Sequence, residues 1–525
     1  MTTPRQKLSE IGRQAVQTFN WLTVDRCATQ ILHQNPKDPE GYFLRGLAEK
    51  AQGKQEKAIE SFEIAVKLNE GRYDAAVELA NLYAMNLRNE EAATVLGSYS
   101  SQLINSPRYS DLAATIYTQI GLIDQAWPLY LQANSLQPNI ELFQSNMAAC
   151  AVYLGKTSEA KAIYKNLLNR SPHHQRNHYH LSRLERAIDS NHINAMKASL
   201  AQTRLPPHRN IFMNYAIGKE LEDLEQWEEA FNYYKYAGDA VAAISEYKVT
   251  TDIEIINKII KVNSEEWLKS CLHKEAQEKN NEIPIFIVGL PRTGTTLTER
   301  ILASHSKIES LGETQFLPAI IKKISGIQTK EQMTSDIIEE ASKVNPQEIA
   351  SLYLKNIKYR QAGKPFFIEK LPYNFLLLGF ISKAFPNAKI IYLQRDPIDT
   401  CFAMYKQVFT WAYKFSYKLE DLGLYYAAHH KLLTHWKKYL GDRIVEVKYE
   451  ELISNQKERT ERILTSLGLS LEASCLEFHK NCSASTTASS VQVREKIHNH
   501  SIKKWEKFSD QLKPLVKVLN NAKIY

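Results

Sequence analysis

Hydrophobic positions follow different patterns in the two halves of the chain. Over roughly residues 5–240 they recur at helical spacing, which predicts a series of amphipathic helices. Beyond about residue 283, short runs rich in β-branched and aromatic residues alternate with helical stretches. These runs read "IFIVG", "PFFIEK", "KIIYLQ" and "RIVEVKYEEL". Strands that alternate with helices predict a parallel α/β sheet, so the fold class is an all-α part followed by an α/β part.

Small residues in the first half recur every 34 positions. One set is Gly46, Ala80, Ala114 and Ala148; a second, 12 residues later, is Ala58, Ala92, Ala126 and Ala160; and larger residues follow at Phe62, Leu96, Tyr130 and Tyr164. Small residues allow two helices to cross closely, and a larger side chain then fills the space towards the next repeat. Gly53, Gly121 and Gly155 fall where two helices would turn, and Leu87 takes that place in the second repeat.

This repeat resembles the tetratricopeptide pattern, with four clear repeats and two or three degenerate ones in an α-solenoid over residues 5–240. The concave groove of such a solenoid is expected to bind a protein or peptide partner. The alternative is an array that only oligomerises or supports the second half. A local histidine cluster interrupts the pattern at His173, His174, His178 and His180. We interpret these histidines as packing or solvated side chains rather than a zinc site.

A change in the pattern of apolar and polar residues marks the boundary between the two parts. Residues 241–282 read as a helical connector that ends in the polar stretch "HKEAQEKNNEIP", which runs into the first strand. Residues 283–525 are long enough to form one α/β domain.

Composition restricts the class of protein. The 525 residues carry a formal charge of +8, from 66 basic and 58 acidic side chains without long like-charge blocks. This favours an anionic ligand but not nucleic acid. The six cysteines show no pairing pattern, the N-terminus has no apolar signal segment, and no apolar run is long enough to span a membrane. We expect a cytoplasmic protein.

The stretch "FIVGLPRTGTTLTERIL", residues 286–302, predicts a strand, a glycine-rich loop and a helix. Gly289 and Gly294 are spaced as in a phosphate-binding loop, but Thr295 occupies the place of the usual lysine. Such a P-loop-like turn forms an anion-binding nest with the helix N-terminus, yet it is poorly suited to a triphosphate. The predicted binding residues are Pro291, Arg292, Thr293, Gly294, Thr295 and Thr296.

A second candidate stretch is "KIIYLQRDPIDTCFAMY", residues 389–405. Arg395 follows a buried-looking strand, and ligands of open α/β sheets bind at the carboxyl ends of strands. Arg395 is therefore predicted to bind a second phosphate group. The alternative is a structural ion pair with Asp396 or Asp399.

Together, the two motifs resemble the sulfotransferases that use 3′-phosphoadenosine 5′-phosphosulfate (PAPS), over Ile283 to about Leu515. Within that family the chain is most similar to bacterial tetratricopeptide-repeat sulfotransferases and tyrosylprotein sulfotransferases. The resemblance implies that "PRTGTT" holds the 5′-phosphosulfate and the Arg395 segment the 3′-phosphate. It also implies PAPS as the nucleotide donor, without a metal.

Sulfuryl transfer needs alignment of the reactants, charge stabilisation and a group that takes the acceptor proton. The tyrosylprotein enzymes use an acidic residue after a glycine as base, and the resemblance assigns that role to Glu313, with His305 as the rival. Arg292 and Lys370 are the candidates for stabilising the leaving phosphate. A helix-start role for Glu313 and a solvated Lys370 are the structural alternatives.

The tail "TTASSVQVREKIHNHSIKKWEKF", residues 486–508, is similar to the last cofactor segment of the family. By that similarity Ser489 contacts the reacting sulfonate, and Arg494 or Lys496 reaches the 3′-phosphate. The chain departs from the family at Ala403, where a serine usually contacts the 3′-phosphate.

The expected function is sulfuryl transfer from PAPS to an acceptor hydroxyl, with protein tyrosine as the leading acceptor and the repeats recruiting the protein. Three alternatives stay open: a carbohydrate or small-molecule sulfotransferase whose repeats serve assembly, a scaffold with an inactive sulfotransferase domain, and a kinase. Ala403 is the main support for the scaffold, and Thr295 argues against a kinase.

Overall fold

The computed structural model describes residues 3–270, 282–409 and 412–525. It contains two compact units, Met1–Ala151 and Val152–Tyr525. Residues 271–281 of the predicted connector lie outside the described residues, and the predicted boundaries at 240 and 282 stay a prediction. Within the described ranges, no helix combines the length and the apolarity that crossing a bilayer requires.

The first unit consists of α-helices connected by short turns. They are α1 Pro4–Gln17, α2 Trp21–Gln34, α3 Pro39–Ala51, α4 Gln55–Leu68, α5 Tyr73–Met85, α6 Asn89–Ser98, α7 Ser100–Leu103, α8 Pro107–Gln119, α9 Ile123–Leu136 and α10 Glu141–Tyr153, whose last residues belong to the second unit. Successive helices pack in pairs, including α3 with α4 and α8 with α9. This confirms the predicted helical repeats.

Small and large positions pack as the repeat predicts. Ala58, Ala80 and Ala92 are fully buried, and so is Phe62. A Cβ atom added to Gly46 would lie only 2.6 Å from Cε1 of Phe62, so this helix crossing leaves no room for a larger residue. The turn position also behaves as predicted, since Leu87 adopts a left-handed φ of 59°, close to the 74° of Gly53.

The second unit begins with further helices: α11 Thr157–Arg170, α12 Gln175–Ser182, α13 Asn191–Thr203, α14 Ile211–Asp223, α15 Trp227–Ile244, α16 Val249–Val262 and α17 Glu265–Lys269. Helices α14 and α15 repeat the crossing seen earlier. A Cβ atom on Gly218 would lie 2.8 Å from the ring of Tyr234, and Ala230 is fully buried. The shifted register predicted for this degenerate repeat is therefore confirmed.

A five-stranded parallel sheet forms the core of the rest of this unit. Its strands are β1 Ile283–Gly289, β2 Ile308–Ser310, β3 Phe366–Glu369, β4 Lys389–Gln394 and β5 Ile444–Lys448, in the order β2-β3-β1-β4-β5. Their register pairs Ile285 with Ile368 and with Lys389, so β1 lies at the centre. The sequence predicted four of these strands but missed β2, which has only three residues.

Helices and short 3₁₀ turns connect and cover the strands. The helices are α18 Thr295–Ala303, α19 Phe316–Ile324, α20 Ser335–Ala341, α21 Pro346–Ile357, α22 Leu378–Ala384, α23 Pro397–Tyr405, α24 Leu419–Leu440, α25 Tyr449–Ser454, α26 Gln456–Ser466, α27 Ala473–Leu476 and α28 Lys513–Asn521. Residues of β1, β3 and β4 form one buried apolar cluster with α18 and α26. Because the strands are parallel, the loops after β1, β3 and β4 meet at one edge of the sheet.

Candidate active site

The glycine-rich loop joins β1 to α18 at the carboxyl edge of the sheet. Gly294 has a φ of 96° and precedes the helix, whose N-terminus has no side-chain cap. Within the described part of the chain, the N–H groups of residues 293–296 donate to no protein acceptor. Free N–H groups at the positive end of a helix dipole can bind an anion, so the geometry of the loop is compatible with the predicted anion site.

A cavity of about 140 Å³ lies against this loop. Seven of the predicted residues line it: Arg292, Gly294, Thr295, Thr296, Arg395, Ser489 and Lys496. The loop, the residue after β4 and the C-terminal segment therefore meet at one place, although they are separated by about 100 residues along the chain. Five residues of the predicted set lie outside this lining: Pro291, Thr293, Glu313, Lys370 and Arg494.

Arg292 connects the loop with the C-terminal segment. It has a left-handed φ of 70°, and its guanidinium donates from Nη1 to Oγ of Ser489 and from Nη2 to Oε1 of Gln492 at 3.0 Å. Burial and the charges of Arg183 and Arg395 lower the pKa of Arg292 to about 10. A cation destabilised by its neighbours gains from the arrival of an anion, as expected at a phosphate or sulfonate site.

Arg395 follows β4 and is nearly buried. Nη1 donates to the Arg292 carbonyl at 3.1 Å, and Nη2 donates to the Ser501 carbonyl. Its guanidinium also lies 4.9 Å from the centre of the Tyr449 ring. The ion pair with Asp399 proposed as an alternative is present, at a long 3.8 Å. Nε is buried without a partner, which leaves a donor available to an anionic ligand.

Glu313 and Lys370 form a second charged group, close to α18. Lys370 follows β3 and is fully buried, which excludes the solvated alternative. Its Nζ donates to Oε1 of Glu313 and lies 3.6 Å from Oε2 of Glu299, a residue one turn into α18. Burial lowers the pKa of Lys370, but the two carboxylates outweigh burial and leave this pKa raised. Lys370 is therefore a fixed positive charge beside a carboxylate that is about one-third exposed.

The buried carboxyl group of Glu369 lies next to the Glu313–Lys370 pair. Oε2 of Glu369 accepts hydrogen bonds from Thr314 Oγ1 at 2.6 Å and from Tyr353 OH at 2.8 Å. Burial raises the pKa of Glu369 to about 7. Glu369 and Thr314 directly adjoin Lys370 and Glu313 in the chain, so this network fixes the backbone of both residues.

The remaining predicted residues have other surroundings. Arg494 donates to the carbonyls of Tyr153 and Ser483, at 2.9 and 3.1 Å, so its predicted contact with the 3′-phosphate would require these bonds to exchange. His305, the rival base, is buried and contacts the Ser470 carbonyl at 3.1 Å and Glu472 at 3.4 Å. Ala403 lies on α23, the helix that starts after Arg395.

The histidine cluster contacts protein groups. Nδ1 of His178 lies 2.8 Å from Nε2 of His192, and Nδ1 of His192 lies 2.6 Å from Oε1 of Glu220. Burial lowers the pKa of His178 to about 4. In the ranges that the structure describes, no group of three or more His, Cys, Asp or Glu side chains has a geometry that could hold a metal ion.

Sequence reasoning missed ten of the residues that line the cavity, and five of these are polar: Tyr449, Gln492, Glu495, His498 and Ser501. Tyr449 OH lies 2.9 Å from Ser501 Oγ, and a Cβ atom on Gly294 would lie 2.6 Å from the Tyr449 ring. Gln492, His498 and Ser501 lie in the segment that the sequence identified, but nothing in their spacing separated them from their neighbours.

A second cavity, of about 530 Å³, lies close to Glu313. Gln315 and Leu371 line it, and they follow Glu313 by two residues and Lys370 by one. The charge of Glu313 adds to burial in raising the pKa of Tyr413, which also lines this cavity. The rest of the lining includes Tyr247 and Asp252, which come from the helical segment before the sheet.

Comparisons with known proteins identify the sheet domain. Residues 284–473 match the family model "Sulfotransferase family". An uncharacterized protein of Aquifex aeolicus is 28% identical over 63% of this chain and 44% of its own length. Protein-tyrosine sulfotransferase of Drosophila melanogaster is 24% identical over 49% of this chain and 54% of its own length. Human protein-tyrosine sulfotransferase 1 is 32% identical over 21% of this chain and 31% of its own length.

Solved structures are each similar to less than half of the chain. The sulfotransferase domain of the Synechococcus olefin synthase is 18% identical over 47% of this chain and 98% of that structure, with a TM-score of 0.34. A thermophilic TPR protein of Thermus thermophilus is 17% identical over 38% of this chain and all of that structure, with a TM-score of 0.28. The family match covers both candidate motifs, the glycine-rich loop and the Arg395 segment, and residues 284–473 of this chain are therefore similar to the sulfotransferase family.

Proposed function

We propose that this chain transfers a sulfuryl group from PAPS to an acceptor hydroxyl. The observation that carries the proposal is the 140 Å³ cavity, which brings the loop N–H groups, Arg292, Arg395 and Ser489 together. Two anion-binding groups from different strands suit a donor with charge at both its 5′ and its 3′ end. The unpaired Nε of Arg395 and the free N–H groups of the loop are donors that such a ligand would satisfy.

The residues would divide the work as follows. Residues 291–296 with Arg292 would hold the 5′-phosphosulfate, and Arg395 with Lys496 the 3′-phosphate. Arg292 and Arg395 would exchange their present bonds to Ser489, Gln492 and Ser501 for bonds to the donor. With Ala403 in place of serine, Arg395 would carry more of the 3′-phosphate binding.

Glu313 would act as the base. The acceptor oxygen forms a bond to sulfur as the bond between sulfur and the bridging phosphate oxygen breaks, and Glu313 takes the acceptor proton. The products are the sulfate ester and adenosine 3′,5′-bisphosphate. The positive charges of Lys370 and Arg292 would stabilise the negative charge that develops on the leaving phosphate. Lys370 contacts both Glu313 and the loop helix, and this position supports the assignment.

Protein tyrosine is the leading acceptor, because several relatives are named as protein-tyrosine sulfotransferases. The helical repeats would recruit that protein in the cytoplasm. A small hydroxyl-bearing acceptor is the second candidate, and the 530 Å³ cavity beside Glu313 favours it. Its volume lies in the range of small-molecule sites, and Tyr247, Tyr373 and Tyr413 would offer ring faces and hydroxyl groups.

Calorimetric titration with adenosine 3′,5′-bisphosphate tests the donor site. We expect micromolar binding by the wild-type chain and a loss of at least about 10-fold for Arg395→Ala, since a charged hydrogen-bond donor contributes about 1.5–3 kcal/mol. Exposed Arg186→Ala is the control. Absence of binding by the wild-type chain would refute the proposal. Transfer of labelled sulfate to tyrosine peptides, compared with phenols and sugars, then separates the two acceptor classes.

A further inference from the structure

The C-terminal segment 485–504, which supplies part of the lining of the donor cavity, contacts helices of the repeat region. All residues concerned belong to the unit Val152–Tyr525. The Tyr153 carbonyl accepts bonds from the Ser485 N–H group and from Arg494, both at 2.9 Å. Glu222 on α14 contacts Lys504 at 2.6 Å and Lys406 at 2.8 Å. The segment 485–504 is therefore held by residues that lie outside the family match.

A further contact with this segment is made by Arg183, a cation that does not itself line the cavity. Arg183 directly follows α12, and its Nη2 donates to the Ala488 carbonyl at 3.0 Å. The next residue, Ser489, accepts from Arg292. Arg183 and Arg292 therefore reach neighbouring residues of the same segment, one from the repeat region and the other from the glycine-rich loop.

The two arginines also interact through their charges. After burial, the charge of Arg183 is the main cause of the lowered pKa of Arg292, ahead of Arg395. Among the described residues, no carboxylate oxygen lies within 4.0 Å of a nitrogen of either Arg183 or Arg292. Two uncompensated cations near each other repel, and an anion between them would remove that cost.

The side chain of Arg183 packs on an aromatic ring. Its guanidinium lies 5.4 Å from the centre of the Tyr179 ring. The Tyr179 hydroxyl accepts from Nε2 of Gln407 at 3.0 Å, and both side chains are buried. Gln407 follows α23, so a residue of the sulfotransferase domain fixes the platform on which Arg183 lies.

We propose that Arg183 is a third cationic residue of the donor site and binds the 5′ end of the nucleotide together with Arg292. This inference rests on the proposed function and extends it, because the repeat region then supplies part of the donor site. On donor binding, Arg183 exchanges its bond to the Ala488 carbonyl for a bond to a phosphate or sulfonate oxygen. The family match does not include this residue, since it begins at residue 284.

The competing explanation is that Arg183 only fastens the backbone at Ala488. Two ligands separate the explanations: adenosine 3′,5′-bisphosphate and adenosine 3′-monophosphate, which lacks the 5′ group. A direct contact affects only the first ligand, whereas a disturbed segment weakens both. We would titrate both ligands into full-length wild type, Arg183→Gln, Arg183→Lys and the control Arg186→Gln. Arg186 lies three residues on and is 68% exposed.

We expect Arg183→Gln to weaken bisphosphate binding by at least about 10-fold and 3′-monophosphate binding by less than about 2-fold, which corresponds to one lost charged hydrogen bond. Arg183→Lys should retain part of the affinity, and Arg186→Gln all of it. Equal losses for both ligands, or no loss for either, would overturn the proposal for Arg183 while the donor site stands. If the wild-type chain binds no bisphosphate, the proposed function itself fails.

Discussion

Lys370 holds Glu313 from a fully buried position and contacts Glu299 on the helix that follows the glycine-rich loop. One buried cation thus connects the candidate base to the element that would bind the phosphosulfate. The hydrogen bond from Lys370 orients the carboxylate that the proposed mechanism uses as the proton acceptor. Lys370 therefore links the candidate base, Glu313, to the helix that begins at the glycine-rich loop.

Replacement of Glu313 by glutamine should separate chemistry from donor binding. We expect Glu313→Gln to lower kcat by about 10²- to 10⁴-fold, because general-base catalysis contributes that much, while the affinity for adenosine 3′,5′-bisphosphate stays unchanged. Initial rates with labelled PAPS and calorimetry measure the two quantities. Glu340→Gln, at an exposed carboxylate paired with Lys343, is the control. Full activity in Glu313→Gln would remove Glu313 from the mechanism.

Loss of the buried cation should lower the rate of the reaction. In Lys370→Met, Glu313 and Glu299 lose their common positive neighbour, and the leaving phosphate loses a charge that would stabilise it. We expect kcat to fall by about 10²- to 10³-fold, as for the loss of one preorganised donor. Lys370→Arg should restore the rate in part, because it retains the charge. Initial rates with labelled PAPS measure the effect, and an unchanged kcat in correctly folded Lys370→Met would show that Lys370 takes no part in the reaction.

Glu369 should make stability depend on pH. The folded state raises the pKa of this carboxyl from about 4.5 to about 7, so the folded chain binds the proton more tightly. Stability is then lost as pH rises from about 4.5 to 7, by about 3 kcal/mol at most. Glu369→Gln, which keeps a neutral polar group, should remove this loss. Urea unfolding at pH 5 and pH 8 measures it, and an equal pH effect in both proteins would contradict the assignment.

Gly294 should tolerate no side chain. Its φ is 96°, and a Cβ atom would lie 2.6 Å from the Tyr449 ring, so Gly294→Ala strains the loop and displaces the ring beneath Arg395. We expect bisphosphate affinity to fall at least about 10-fold. Gly363→Ala is the matched control, because Gly363 has a φ of 79° but nothing within 4 Å of an added Cβ atom. Equal binding losses in both variants would show that backbone strain alone is responsible.

Local patterns in the sequence determined a large part of this protein. The 34-residue spacing of small residues predicted the helix pairs, because it specifies which positions must pack without a side chain, as at Gly46 against Phe62. The run from 286 to 302 predicted the strand, loop and helix, because glycines and apolar spacing act over a few residues. The parallel sheet brought Arg292 and Arg395 to one edge, as their positions after strands predicted.

Tertiary structure alone decided the contacts between distant segments. The burial of Lys370 between Glu313 and Glu299, and the raised pKa of Glu369, depend on how the chain surrounds these side chains. The position of Arg183 depends on the packing of α12 against a segment about 300 residues later. Sequence periodicity is a short-range property, whereas desolvation and charge interactions depend on distance in space, so only the folded chain determines them.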